Sequence, residues 1–109
     1  VDFAEVERLG LALAGVTTGT SYGTPALKVR GKLLARLKED GTTLVLCAVL
    51  ADERDVLIDM APEIYYVTDH YVGYPTMLVR LPAADPVQLA DLLRRSWRRL
   101  AAPVARRRK

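Results

Sequence analysis

The sequence predicts a two-layer α+β domain: a mainly antiparallel sheet with helices packed on one face. Three observations predict it. The stretch Pro25–Lys38, PALKVRGKLLARLK, alternates apolar and basic residues, turns at Gly31 and alternates again, the pattern of a hairpin with an apolar inside and a basic outside. Asp40-Gly41 follows, the strongest short hairpin signal in the chain, and adds a further strand. Amphipathic helical patterns open and close the sequence, and helices with one apolar stripe must lie against one face of such a sheet.

Residues 2–14 read as the first helix. Asp2 followed by Glu5 is a capping-box-like start with Asp as the cap. Phe3, Val6, Leu9 and Leu13 share a face, and Gly15 is a natural stop. The Thr- and Gly-rich VTTGTSYGTP predicts a short edge strand over 16–22, broken at Gly23 and Pro25.

The hairpin strands are expected at 26–30 and 33–39. A two-residue loop at Gly31-Lys32 pairs Lys28 with Ala35 and places a charge on the core face. A three-residue loop, Gly31-Lys32-Leu33, pairs Val29 with Ala35 and Leu27 with Leu37 and keeps the apolar residues inside. Register follows the buried face, so the second is expected. Across Asp40-Gly41 a two-residue loop pairs Leu37 with Leu44 and Ala35 with Leu46, in agreement with that register.

Residues 52–61 read as a short helix with Asp52 as cap, Val56, Leu57 and Met60 facing inward, and Pro62 as terminator. IYYVT at 64–68 is β-branched and aromatic and reads as a strand; 69–75 is a loop; 76–81 is a strand with Met77, Val79 and Leu81 on one face and Arg80 on the other. The last helix has Asp85 as cap, Pro86 at its first position and Gln88 completing a capping box. Leu89, Leu92, Leu93, Trp97 and Leu100 form its apolar stripe, opposite Arg94, Arg95, Arg98 and Arg99; it should reach about Ala102. Residues 1–103 are expected to form one domain and 104–109 a basic disordered tail. The sheet face away from the helices should be at least partly wet and carry the basic and aromatic residues.

The 109 residues favour one domain, half of them hydrophobic and 27% charged, and a chain of that size buries roughly two-thirds of its unfolded surface. There is no apolar run of roughly 18 residues, so no membrane span is expected. No signal-peptide pattern opens the sequence, and Val1 in place of Met leads to the expectation of a trimmed or engineered start with an upstream segment missing. The one cysteine, Cys47, excludes an internal disulfide and sits in LVLCAVL, where a buried structural thiol in a reducing, cytoplasmic setting is expected. The net charge of +3 is uneven: the last 16 residues hold 8 basic residues and no acid, so the first 93 carry a net −5. That asymmetry points either to a polyanionic partner or to a solvated helix face and tail.

Leu13-Ala14-Gly15-Val16, Tyr22-Gly23, Leu27-Lys28-Val29-Arg30-Gly31-Lys32, Asp69-His70-Tyr71-Val72-Gly73-Tyr74-Pro75 and Ser96-Trp97-Arg98-Arg99-Leu100 occur in that order. In sequence and spacing the chain resembles the MmcQ/YjbR family of small bacterial proteins over nearly its whole length. Leu-Ala-Gly stands where many relatives have Leu-Pro-Gly. The resemblance implies a fold similar to the double-wing DNA-binding domain of a phage transcription factor. DNA binding is ascribed to members by that fold analogy. No enzymatic activity is established for them generally, and no catalytic residues carry over.

The chemistry-bearing residues fit a non-enzymatic protein. His70 is the single histidine; a base or ligand role needs partners, and its neighbour Asp69 points away in an extended loop. The acids show no paired spacing with a recognisable role, and TTGTSYGTP lacks the strand-to-helix context of a phosphate loop. No cofactor or metal is expected. The leading expectation is a DNA-binding or regulatory module, monomeric or weakly dimeric. It would contact double-stranded DNA phosphates through Lys28, Arg30, Lys32, Arg36, Lys38 and Arg80. About five contacts would give a log–log salt slope near −4 to −5. At 6% aromatic content the chain is poor material for a single-strand stacking platform. The alternative is a small-ligand- or protein-binding module using a groove near Tyr22, His70, Tyr71 and Tyr74.

Overall fold

The Asp2 carboxylate accepts a hydrogen bond from the Glu5 amide at 3.0 Å, and α1, Phe3–Leu11, starts there as expected. In the computed structural model, which describes residues 1–102, six strands and two further helices follow: β1 Val16–Ser21, β2 Thr24–Val29, β3 Lys32–Leu37, β4 Thr43–Cys47, α2 Ala51–Met60, β5 Tyr65–Tyr66, β6 Thr76–Arg80 and α3 Pro86–Ala101. The expected tail at 104–109 lies outside the described residues. All strand pairs are antiparallel, in the order β1-β2-β3-β4-β6-β5. The fold is the expected α+β class, with β1 at one edge. Pro25 lies inside β2 rather than ending β1.

The first two hairpins share one turn chemistry. Tyr22-Gly23 and Arg30-Gly31 both carry two positive φ angles, 54° and 78° in the first and 53° and 76° in the second, as a type I′ turn requires. This corrects the expected β2–β3 register. The loop is Arg30-Gly31, which pairs Val29 with Lys32 and Lys28 with Leu33; a bulge then shifts the ladder so that Leu27 meets Ala35. The extra residue in the bulge returns Ala35 to the core face beside Leu27 and Leu46 and sends Arg36 to the opposite face. Across the β3–β4 turn Leu37 pairs with Leu44 and Ala35 with Leu46, as expected.

These pairings lay rows across the sheet. Leu27, Ala35, Leu46 and Met77 form one core row, and Leu37, Leu44, Val79 and Tyr65 the next. Val6 of α1 and Leu89, Leu92 and Leu93 of α3 pack into the same core, with Leu57 of α2 at its edge. The Asp85 carboxylate caps α3, accepting from the Gln88 amide at 3.0 Å.

The α2 expectations fail in part. α2 begins after Leu50 with no side-chain cap from Asp52. Its inward residues are Leu57 and Arg54, while Val56 and Met60 are exposed. The face away from the helices carries basic and aromatic side chains and is partly wet, as expected, at half-buried Lys28 and Tyr66 and exposed Arg80, but its centre is dry. Ala26, Arg36, Val45 and Leu78 share a row on the side away from the helices, and all four are 5% exposed or less. The segment after the shortened β5 brings Tyr71 over that face; residues 67–68, expected to continue the strand, lie outside it and are half-buried. No helix among the described residues is long and apolar enough to cross a membrane.

Candidate ligand-binding pocket

Strand alternation sends Arg36 to the second face, between Ala26 on β2 and Val45 on β4. Only 5% of it is exposed. Its Nη1 donates to Thr24 Oγ1, the Leu37 carbonyl and Glu39 Oε2, each at 3.3 Å, and Nη2 donates to the Tyr71 hydroxyl at 3.2 Å. The Tyr22 ring lies 5.1 Å from the guanidinium carbon, a cation–π distance. Burial pulls this guanidinium down, but Tyr71 and Glu39 outweigh it and hold it above its ordinary value. It stays charged, and breaking its partners would leave a buried charge uncompensated.

Tyr71 reaches Arg36 because its loop is anchored from the other end. Arg54 is also 5% exposed. Its Nη1 donates to the Tyr74 and Thr76 carbonyls at 3.0 and 3.1 Å, and its Nη2 to the Val72 carbonyl at 3.1 Å. One side chain thus bonds two carbonyls of the irregular loop and the carbonyl of Thr76, where β6 begins. The Val49 amide adds a bond to the Pro75 carbonyl at 3.0 Å. Sequence reasoning missed Arg54. The available signal was its place three residues before Leu57 on the inward face of α2.

Between loop and sheet lies a pocket of about 520 Å³. Arg36, Val45, Cys47 and Thr76 form its floor; His70, Tyr71, Tyr74 and Pro75 come from the loop. Tyr22 from the first turn, Leu33 from β3, Ala48 and Leu100 of α3 complete it. The four aromatic groove residues named from sequence, Tyr22, His70, Tyr71 and Tyr74, therefore converge on one cavity. The His70 and Tyr71 rings meet edge to face at 4.7 Å.

Ala48 has φ 57°, a left-handed conformation that costs a non-glycine residue about 1–2 kcal/mol. Its carbonyl accepts from Arg99 Nη1 at 2.6 Å and Ser96 Oγ at 3.5 Å, so α3 holds the strained turn beside the pocket. Cys47 is half-buried. Burial pushes its thiol up to about 11, against the pull of Arg36, so it is neutral and weakly nucleophilic near neutral pH. Among the described residues no three His, Cys, Asp or Glu side chains converge as a metal site. The chemistry on offer is an open, largely apolar and aromatic cleft with a cation and a hydroxyl in its wall.

The six basic residues expected to form one phosphate-binding face are divided. Arg36 is buried under Tyr71. The Arg80 guanidinium sits 4.0 Å over the Tyr66 ring and donates to the Pro62 carbonyl at 3.0 Å. Arg30 and Lys32 are exposed at the hairpin tip, and Lys28 and Lys38 are half-buried along the strands. Three of the four arginines of α3 are also engaged: Arg95 and Arg99 pair with Glu53 at 2.7 and 3.2 Å, and Arg94 with Asp91 at 3.5 Å; Arg98 is exposed.

Among known proteins the chain is similar to the uncharacterized protein Mb2600 of Mycobacterium bovis and the uncharacterized protein Rv2570 of Mycobacterium tuberculosis. Each is 34% identical over 62 residues, 57% of this chain and 40% of the relative. The chain thus matches well under half the length of these curated relatives. No solved structure matches it. The YjbR family model matches residues 11–99, which takes in every strand, α2 and most of α3; the chain belongs to the YjbR family.

Proposed function

We propose that this protein is a non-enzymatic small-ligand-binding module whose site is the pocket between β3, β4 and the 69–75 loop. One observation carries the reading: residues from the first hairpin turn, the central strands, the covering loop and α3 line an open cleft of about 520 Å³ with a buried guanidinium in its wall. Small-molecule sites have this size, this apolar and aromatic lining, and a few placed polar groups. Cys47, the one thiol, is held protonated by burial, which favours binding over nucleophilic chemistry. A fragment screen by ligand-observed NMR tests the reading, repeated on Tyr74→Ala, a substitution of a 61% exposed side chain. Hits that weaken in the variant support it; a screen in which every hit is indifferent to the change refutes it.

DNA binding is kept as a second reading by a specific feature, the exposed basic tip Arg30-Gly31-Lys32. With Lys28 and Lys38 it offers four accessible cations. Contacts by about four cations correspond to a salt slope near −3.6. Anisotropy of labelled duplex DNA, with Arg30→Ala/Lys32→Ala alongside, decides it: no binding at low salt, or binding unaffected by the double change, removes this reading.

A further inference from the structure

We infer that the pocket takes an aromatic monocarboxylic acid, its carboxylate on Arg36 and its ring among Tyr22, Tyr71 and Tyr74. The inference rests on the reading of the pocket as a ligand site and assigns the ligand's class.

Donor counting comes first. A guanidinium has five N–H groups. The two on Nη1 are occupied by Thr24, Leu37 and Glu39, and one on Nη2 by Tyr71. The N–H on Nε and the second on Nη2 have no acceptor among the described residues. Nε and Nη2 share one edge of the planar guanidinium, and Arg36 lines the pocket. Two unclaimed donors on one planar fork suit a carboxylate better than any neutral group.

Charge sets the valence. Glu39, the carboxylate beside Arg36, has 60% of its side chain in solvent, so water screens its pull and it offsets the cation only in part. Cys47 adds no negative charge near neutral pH. Among the lining residues the one other ionisable cation is His70. A single guanidinium shared with Glu39 matches a monoanion, whereas a phosphate dianion would need further cations. The body follows from the walls. Three tyrosines, with Leu33, Val45 and Leu100, surround the space and favour a flat ring held by offset or edge contacts.

The test is calorimetric titration of naphthalene-2-carboxylate and its neutral isostere naphthalene-2-carboxamide, on the wild-type protein and on Arg36→Lys. The acid is expected to bind wild type about tenfold tighter than the amide or better, the effect of hydrogen bonds to a charged group. Arg36→Lys should shrink the ratio to about threefold or less while amide affinity persists. Because Arg36→Lys can unfold the chain, a wild-type readout stands beside it: the Arg36 Nε–H NMR signal should shift with saturating acid and not with amide. An amide that binds as tightly as the acid, or an Arg36 signal unmoved by bound acid, overturns the carboxylate assignment and leaves the pocket standing. If neither compound binds at millimolar concentration, this inference falls, and the fragment screen separately decides the pocket.

Discussion

The Arg36 guanidinium donates to the Tyr71 hydroxyl at 3.2 Å across 35 residues of sequence. This bond pins the covering loop to the second sheet face and so shapes one wall of the pocket. Tyr71→Phe removes it while keeping the ring. The expected cost is about 1 kcal/mol, more if the guanidinium finds no water in exchange, read as a lower urea midpoint. An unchanged midpoint would mean that the bond adds nothing to stability.

Arg54 should matter more than any exposed charge. Arg54→Ala removes three charge-assisted hydrogen bonds, to the Val72, Tyr74 and Thr76 carbonyls, of which Tyr74 keeps the Thr76 amide as a donor, and is expected to cost about 3 kcal/mol or more. Hydrogen exchange at the Tyr71, Tyr74 and Thr76 amides, all bonded within the loop, should speed up more than exchange in β3. Equal acceleration everywhere would show global destabilisation instead of a released loop.

The Arg30-Gly31 turn places an ordinary L-residue at φ 53°. Asn tolerates that conformation, so Arg30→Asn should stabilise the protein by roughly 0.5–1 kcal/mol. The thermal midpoint should rise by a few degrees; a fall would reveal a stabilising contact made by the arginine.

The Asp40 carboxyl is lowered by hydrogen bonds from the Thr43 hydroxyl and the Thr42 and Thr43 amides, against a small opposing effect of burial. A folded-state value below the unfolded one contributes stability that is full above the ordinary value of 3.8 and is lost as pH falls through the lower folded value. Wild-type stability should therefore drop more steeply below about pH 4 than that of Asp40→Asn. Parallel curves for the two proteins would count against the carboxylate as the source.

Cys47 supplies a reporter. With its thiol at about 11 against an ordinary 9.0, alkylation by iodoacetamide at pH 8 should run about a hundredfold slower than in the denatured chain, from thiolate fraction alone. Mass spectrometry reads the rate, and equality with the denatured rate would place the thiol in water.

Much of this molecule was legible in its sequence. Apolar spacing and caps located α1 and α3 because 3.6-residue periodicity and the needs of a helix N-terminus are local. The Asp40-Gly41 turn determined the β3–β4 register for the same reason. The groove residues could be grouped because Tyr22 belongs to a Gly turn and His70, Tyr71 and Tyr74 to one loop. Their convergence needed three dimensions.

Alternation alone reads Arg36 as a solvent-facing cation. The tertiary structure instead buries it, because the loop held by Arg54 folds over the second face and Tyr71 supplies a partner. The β2–β3 bulge was equally illegible, since it restores the core pairing of Leu27 with Ala35 after the Arg30-Gly31 turn, and the core face is defined by helices far away in sequence. Local pattern thus determined the elements, their order and one core face. Which charges stayed in water was decided by long-range cover, because the cost of burying a charge depends on partners that no local window contains.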